Sequence, residues 1–546
     1  MKAIPFSAVA FLLVPPVAHA APTALFLASD NCQACHNGIS TDKGEDVSIG
    51  IDWRASMMAN AARDPYWQAS VRRETLEHAV AAGAIENECS LCHMPMAHVQ
   101  ARSEGRMESV FANLTRGNRS EHSALAQDGV SCSLCHQIEP DKLGKPESFV
   151  GGFVVDTSGK QPRRIMGPFE IKPPLARLMA SATGFLPEKA DHIRSSELCA
   201  TCHTLITETL GPDGKPIGRL PEQVPFLEWL ASSYRDSASC VSCHMVEVVG
   251  SAPIANLLSD PRTGLARHEF LGGNFVAPAL LKRLGVGAAA LPQELDHVST
   301  RVRAFLSELS GKVGIEAFEV RDGVLETKLS VENFAGHKLP TAYPSRRAWL
   351  HVTVKDGQGT VFFESGSIGA DGKIAGNDND EDASRFEPHR TVIEKAEQVQ
   401  IYESILGDVQ GRVTTGLLHG AKYLKDNRIL PTGFDKTKAE ADVAVHGAAL
   451  SDKDFADGSD QVALRIPVGE RPGPYKVEVE LLYQPIGYRW AENLRATGSA
   501  EARAFNRSFD ALAARSWQRL AHAERSTLPQ TSGTPEAEKP GSSEGN

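Results

Sequence analysis

The chain has 546 residues and a mass of 58.8 kDa, which is more than a single hydrophobic core supports, so at least two domains are expected. Hydrophobic residues make up 41% and charged residues 23%, a balance that argues against a disordered chain, a collagen-like fibre or a bundle of membrane helices. With 57 basic and 68 acidic residues the formal charge is -11, so nucleic acid is not expected as a partner.

The first twenty residues have the pattern of a secretory signal peptide. Lys2 precedes an apolar run from Phe6 to Val14, and a small-x-small cleavage site follows at residues 18–20. This run is too short to span a bilayer, and no later segment approaches the roughly 20 apolar residues of a membrane helix. The sequence predicts a signal peptide over residues 1–20 and an exported chain without a transmembrane segment. We expect it in the periplasm or, as the alternative, on the extracellular face of the outer membrane.

All ten cysteines fall into five copies of the motif Cys-x-x-Cys-His. The motifs are Cys32, Cys35 and His36; Cys89, Cys92 and His93; Cys132, Cys135 and His136; Cys199, Cys202 and His203; and Cys240, Cys243 and His244. An even number of cysteines in an exported chain would ordinarily indicate disulfides. The regular pairing, with no cysteine left over, argues against that interpretation.

This motif is the attachment signature of c-type haem. Two thiols three positions apart match the two vinyl groups of one porphyrin, and the histidine that follows supplies an imidazole nitrogen to the iron. Zinc is the alternative, since cysteine and histidine also bind that ion. A structural zinc site needs two such pairs on one ion, however, and five pairs do not divide evenly. The sequence therefore predicts five covalently attached haem c groups.

The motifs and the strings around them resemble those of exported multihaem c-type cytochromes of bacteria. The strings lie at residues 85–96, 128–136, 196–203 and 268–274. This family includes both pure electron carriers and haem-based reductases or oxidases. Successive motifs begin between 41 and 67 residues apart, too close for separate haem domains. One pentahaem cytochrome domain is expected over residues 21–313.

The function of each haem depends on the ligand opposite its motif histidine, because two strong ligands favour electron transfer and an open position permits small-molecule chemistry. Five other histidines are predicted as these distal ligands: His98, His122, His192, His268 and His337. A predicted helix begins at Asp64 and Pro65 and runs to Gly83, and it places His78 on an inward stripe as a further candidate. Met57 and Met58, just upstream, offer thioether ligands.

The pattern changes from helical to alternating after Gly311. Leu325 to Val331 alternate with polar residues, residues 350–363 read as a hairpin with a glycine turn, and residues 462–481 alternate again. We predict a β-sandwich over residues 314–495, a C-terminal helix over 496–524 and a disordered tail over 525–546. The fold class is thus α + β and multidomain: a mostly helical or irregular multihaem domain, then an antiparallel β-sandwich and a helix.

Two functions are consistent with these motifs and their spacing. The first is an exported pentahaem cytochrome that transfers electrons between donor and acceptor redox proteins, alone or within an outer-membrane or surface complex; we prefer it because histidine is plentiful. The alternative is a multihaem oxidoreductase acting on a small nitrogen or sulfur compound at one open iron. A subunit of a filament is a third, less economical interpretation, because five cofactors are elaborate for a passive role.

Overall fold

The computed structural model of the protein describes residues 24–114, 121–285 and 290–527. The predicted signal peptide lies outside these ranges, and so does the predicted disordered tail from residue 528 onward. Helices predominate up to Leu309 and strands predominate after it, so the chain is a mixed α + β multidomain protein, as predicted. We call residues 24–310 the motif region and residues 311–527 the β region.

The α-helices lie mainly in the motif region, where most of them are short, and the last of them lie in the β region. Their bounds in the described residues are α1 Ser29–Gln33, α2 Ile49–Arg54, α3 Pro65–Glu77, α4 Ala82–His93, α5 Pro95–Ser103, α6 Val110–Asn113, α7 Glu121–Gln127, α8 Cys132–Cys135, α9 Pro173–Thr183, α10 Ser196–Ala200, α11 Pro225–Leu230, α12 Cys240–His244, α13 Val276–Leu284, α14 Pro292–Leu309, α15 Asp378–Glu381, α16 Tyr488–Arg495 and α17 Ala500–Asp510. Over the described ranges, no helix has both the length and the apolar character needed to cross a membrane.

The strands pair mainly within the β region. Their bounds are β1 Arg163–Gly167, β2 Phe185–Lys189, β3 Leu205–Leu210, β4 Pro216–Gln223, β5 Gly311–Ile315, β6 Glu319–Arg321, β7 Val324–Asn333, β8 Arg347–Lys355, β9 Val361–Ser365, β10 Val392–Ile393, β11 Ile401–Gly407, β12 Val413–Thr414, β13 Lys422–Asp426, β14 Ser459–Pro467, β15 Lys476–Gln484 and β16 Gln518–Ser526. The four strands of the motif region form a parallel pair, β1 with β2, and a hairpin, β3 with β4.

Helix α3 begins where the sequence predicts. The Asp64 side chain accepts hydrogen bonds from the backbone N–H groups of Tyr66 and Trp67, and proline occupies the first helical position. The helix ends at Glu77 instead of continuing to Gly83, because a turn of 3-10 helix separates it from α4. Helix α4 then ends on the second motif.

Two sheets form the β region. The five-stranded sheet has the order β10-β14-β7-β5 with β6 also paired to β7, and the seven-stranded sheet has the order β12-β11-β8-β15-β16 with β13 on β11 and β9 on β8. Strands β8 and β9 form the predicted hairpin, with Val354 opposite Phe363. Both sheets share one continuous hydrophobic cluster with α13, α14, α16 and α17. The predicted alternation is therefore the pattern of strands buried on one face.

The C-terminal helix is shorter than the predicted range of 496–524. Helix α17 ends at Asp510, and residues 518–526 form β16, which pairs with β15 in antiparallel register. Phe505 and Phe509 hold α17 on the core, where the Phe505 ring lies 5.2 Å from that of Tyr66. Strand β15 pairs with β8 on one side. On its other side, β16 pairs with the backbone groups that would otherwise form an unpaired edge. The first strand of the β region, β5, likewise begins at Gly311, before the predicted boundary at 314.

Candidate cofactor site

One large cavity lies between the motif region and the β region. Its volume is about 1710 Å³, and its lining contains all ten cysteines, the five motif histidines, and also His268 and His337. The β region closes one side with the loop between β7 and β8. All ten thiols are free. The folded chain therefore brings motifs that are far apart in sequence to the wall of one internal space.

Each motif forms about one turn of helix, which explains its spacing. The backbone N–H of His36 donates to the carbonyl of Cys32 at 3.0 Å, and His203 N–H donates to Cys199 at 3.0 Å. A turn of this kind brings residues three and four apart onto one side. The two thiols and the imidazole of a motif therefore face the same cavity.

Four of the five motif histidines are oriented by the main chain. In each case Nδ1–H donates to a backbone carbonyl: His36 to Ile254 at 2.6 Å, His93 to Ala61 at 3.0 Å, His136 to Met166 at 2.5 Å, and His244 to Leu271. This bond fixes the tautomer and leaves Nε2 as the nitrogen that can bind a metal.

Burial keeps these imidazoles neutral. It lowers the pKa of both His93 and His244 to about 4, and it also lowers the pKa of His136 and His203. A buried imidazolium is poorly solvated, so the neutral ring is favoured at neutral pH. Only the neutral ring has a free lone pair for a metal ion. The oriented nitrogens, the free thiols and the cavity thus fit covalently bound haem.

Two histidine pairs have the separation that one metal ion between them requires. The ring centroids of His136 and His268 are 6.4 Å apart at 19°, and those of His244 and His337 are 6.3 Å apart at 12°. Two imidazoles on opposite sides of a metal ion, each about 2.0–2.1 Å from it, place their centroids roughly 6.3 Å apart. Nδ1–H of His268 donates to Ala266 at 3.0 Å, and that of His337 to Lys338 at 2.9 Å. Both rings therefore leave Nε2 free.

The other three predicted distal ligands lie outside the cavity lining. His98 donates from Nδ1 to the Ser90 hydroxyl at 2.9 Å, His192 donates from Nε2 to the Ile138 carbonyl at 2.8 Å, and His122 lies 2.6 Å from the Glu108 carboxylate. Proximity in sequence suggests a ligand role, but each ring already has a protein partner. The structure places none of these three imidazoles in the cavity lining, and their role as distal ligands stays a prediction.

The remaining ligand candidates, His78, Met57 and Met58, also differ in whether they line the cavity. His78 is buried at the end of α3 but packs against His419, with ring centroids 4.5 Å apart, and does not line the cavity. Met57 and Met58 do line it.

The motifs contact one another in a definite order. The Cys32 thiol raises the pKa of Cys132, the Cys202 thiol raises that of Cys92, and the Cys240 thiol raises that of Cys199. Burial and then the charge of Cys202 raise the pKa of Cys135 to about 12. The first motif therefore lies beside the third, the third beside the fourth, and the fourth beside both the second and the fifth.

A buried ionic cluster holds the loop that carries His337. Lys338 Nζ lies 2.7 Å from Asp426, and Arg428 bonds the same carboxylate at 2.7 Å. Glu228 of the motif region accepts from the Lys338 backbone N–H at 3.1 Å and pairs with Arg428 at 2.9 Å. Although burial acts in the opposite direction, the charges of Arg428 and Lys338 hold the pKa of Asp426 well below its usual range. The cluster fastens this loop to both regions.

A second group of side chains of the kinds that bind metal ions lies within the β region, apart from the cavity. Nε2 of His389 is 2.9 Å from Asp452 and 4.0 Å from Asp460. The carboxamides of Gln400 and Asn427 both donate to Nδ1 of His389, at 2.9 and 3.0 Å. Nε2 must then carry the proton and donate to Asp452, so it has no lone pair for a metal. We interpret this group as a hydrogen-bonded core network.

Sequence reasoning missed several residues of the lining. Arg346 lies there, and Glu74 faces the cavity from α3. Glu74 is seven residues after Trp67, on the same side of α3, so helical spacing was a signal for it. The carbonyls that orient the histidines have no sequence signal, because any residue supplies one.

Comparison with known proteins adds little. No protein-family model and no curated protein matches the chain. Among solved structures, a penta-heme cytochrome c552 from Thermochromatium tepidum is similar over 92% of this chain and all of its own, with 16% sequence identity and a TM-score of 0.48. A likeness at this level assigns neither a fold family nor a function to the chain.

Proposed function

We propose that the protein is an exported pentahaem c-type cytochrome that passes electrons along covalently bound haems between redox partner proteins. The observation that carries this proposal is the cavity into which all five motifs turn their thiols and imidazoles, four of these imidazoles being oriented by backbone carbonyls. When bound, haem iron supplies the one-electron exchange between ferric and ferrous states. The chain supplies attachment, orientation and exclusion of water.

The order of contacts between motifs supports an electron-transfer route. It runs from the first motif through the third to the fourth, with the second and the fifth both beside the fourth. Cys35 and Cys243, in the first and fifth motifs, are the two exposed cysteines, while the other eight are partly buried. Two ends of the route, at the first and fifth motifs, therefore lie where partner proteins have access. We propose a periplasmic location, with an outer-membrane or surface complex as the alternative.

The histidine pairs support two sealed irons. In this proposal the third haem is held by His136 and His268 and the fifth by His244 and His337, at the separations given above. Two strong axial ligands favour electron transfer over binding of small molecules. His337 comes from the β region, so that region completes a redox centre as well as covering it.

A second function has a specific observation in its favour. Of the described histidines outside the motifs, the lining holds His268 and His337, which the proposal pairs with His136 and His244, so it holds no further histidine of this set for His36, His93 or His203. Burial and then the charge of Arg346 lower the pKa of His203, so a cation lies near the fourth motif. An iron without a second strong ligand, near a cation, suits an oxidoreductase acting on a small anionic nitrogen or sulfur compound.

Mass spectrometry and electron paramagnetic resonance of the purified protein test both functions. We expect a mass increase of five haems, and a pyridine haemochrome assay should give the same number. A mass equal to that of the bare polypeptide would refute the proposal. In the oxidised protein, purely low-spin signals favour electron transfer, whereas a high-spin ferric signal favours the oxidoreductase.

Substitution of the two paired histidines tests the ligand assignment. Both His268→Ala and His337→Ala should convert one haem from low-spin to high-spin without loss of attached haem, since the thioethers remain. The control is His98→Ala, which removes a buried histidine outside the cavity and should leave the spin states unchanged. An unchanged spectrum in both test variants would contradict the assignment.

A further inference from the structure

Two buried polar atoms face each other without a partner at the edge of the cavity. Glu74 is 5% exposed and His78 is 7% exposed, and Oε2 of Glu74 lies 3.9 Å from Nε2 of His78. Among the described residues, neither atom has a hydrogen-bond partner. The other carboxylate oxygen of Glu74 accepts the backbone N–H of Leu417 at 2.8 Å. A buried carboxylate oxygen without a hydrogen-bond donor is costly unless the carboxyl group is protonated.

These groups connect the cavity with solvent. Glu74 lines the cavity, His78 packs on His419 with ring centroids 4.5 Å apart, and His419 lies 3.2 Å from Glu77. The His419 and Glu77 side chains are 41% and 36% exposed. A line of titratable side chains therefore leads from water, across the junction of the two regions, to the cavity wall.

We propose that Glu74 is a proton-binding site of the haem cavity, supplied from solvent through His419 and His78, and that it takes up a proton when haem is reduced. The inference rests on the proposed function. One electron arrives from the reduced donor protein and converts one ferric iron to ferrous. One proton leaves bulk water and forms an O–H bond at Oε2 of Glu74. No other bond changes, and the charge added to the cavity is neutralised.

The location of Glu74 identifies the second haem as its partner. Trp67 of the same helix stacks on His93, with ring centroids 4.3 Å apart at 7°. Burial and then the charges of Glu222 and Glu74 raise the pKa of Cys89 above its usual range. Glu74 is therefore close enough to the second motif to respond to a charge placed there.

The surrounding charges leave Glu74 able to titrate near neutral pH. Burial raises its pKa to about 7, opposed by Arg73 and His419 and supported by Glu77. Burial and then the His419 charge lower the pKa of His78, whereas Glu77 raises that of His419. Tyr343 also faces Glu74 across the cavity, and its own pKa is raised by burial, so it stays neutral. A carboxyl group in this position exchanges protons at the pH of the compartment.

Proton uptake during reduction of the purified holoprotein tests this inference. Wild type, reduced with dithionite in weakly buffered solution with a pH indicator, should take up protons, and the potential of one haem should fall as pH rises from about 6 to about 8. Glu74→Gln should abolish both effects while retaining the Leu417 contact and all five haems. Glu74→Asp, which keeps an ionisable group, should restore them in part.

Two further variants separate the site from its route and from general charge effects. His78→Phe keeps an aromatic ring at this position but removes the ring nitrogens that would carry the proton. It should therefore slow proton uptake without changing its final amount. The control is Glu269→Gln, which also removes a carboxylate from the cavity lining, but one held by Arg301 at 2.8 and 3.0 Å. It should keep the wild-type response. Equal proton uptake by wild type and Glu74→Gln would overturn the inference, whereas a colourless protein would overturn the proposed function instead.

Discussion

In the β region, strands β7 and β8 bury Leu329 and Val352 completely in one continuous apolar cluster. Much of the motif region differs, because its apolar side chains form small separate clusters around the cavity. The space that these side chains surround has a volume of about 1710 Å³. The comparison teaches that side chains alone fill one region, whereas in the other they line the space that the proposed haems would occupy.

Production of the full chain in cells that lack haem-attachment machinery provides the severest test of this comparison. We expect the part of the motif region before α13 to lose its fold, so that limited proteolysis cuts throughout residues 24–275. Fragments that begin near Val276 should persist longer, because α13 and α14 share the hydrophobic cluster of the β region. The holoprotein is the control and should resist at both places. A colourless chain that resists protease throughout would show that the cofactors do not form the core.

The ionic cluster between the regions gives the next largest effect. Asp426→Asn leaves Lys338 and Arg428 buried with half their compensation, and removal of one partner from a buried ion pair costs about 3–5 kcal/mol. Chemical denaturation of the holoprotein should show this loss. The matched control is Asp260→Asn, since Asp260 forms a surface pair with Lys172, with side chains 63% and 72% exposed. Its midpoint should not change, and equal effects of the two variants would contradict the assigned role of the cluster.

A smaller effect, dependent on pH, is expected inside the β region. Burial raises the pKa of Asp460 to about 7, so the folded state holds this proton more tightly than the unfolded state does. The resulting stability is fully present below the usual aspartate pKa and declines as pH rises toward 7. Asp460→Asn should flatten that decline, by a few kcal/mol at most over about three pKa units. Denaturation midpoints of both proteins at several pH values measure it, and parallel curves would contradict the expectation.

The sequence predicts most of the features that depend on neighbouring residues. The capped start of α3 and the alternating strands β7, β8, β14 and β15 are found as expected. The local pattern of residues 518–526 predicts a helix, yet these residues form β16. They do so because β15 offers an edge to pair with, and that edge exists only once the chain has folded. Consecutive strands β14 and β15 also enter different sheets, which alternation alone does not reveal.

The candidate site divides in the same way. His98 lies six residues after Cys92 and yet turns to Ser90, whereas His337, far along the chain, comes within 6.3 Å of His244. Ligation across a cavity depends on three-dimensional placement, and distance in sequence is a poor guide to it. The motif cysteines could be picked out from the sequence because their spacing is local, and all ten line the cavity. The histidines that face them across the cavity could not.

The origin of His337 in the β region has a consequence for biogenesis. Protein chains are made from the N-terminus onward, so His244 and its two cysteines emerge well before the strand that precedes His337. Under the proposed ligation, a haem attached at the fifth motif would therefore lack its second histidine ligand until His337 has been synthesised. The absorption spectrum of the protein during maturation would then change when the β region folds and His337 binds.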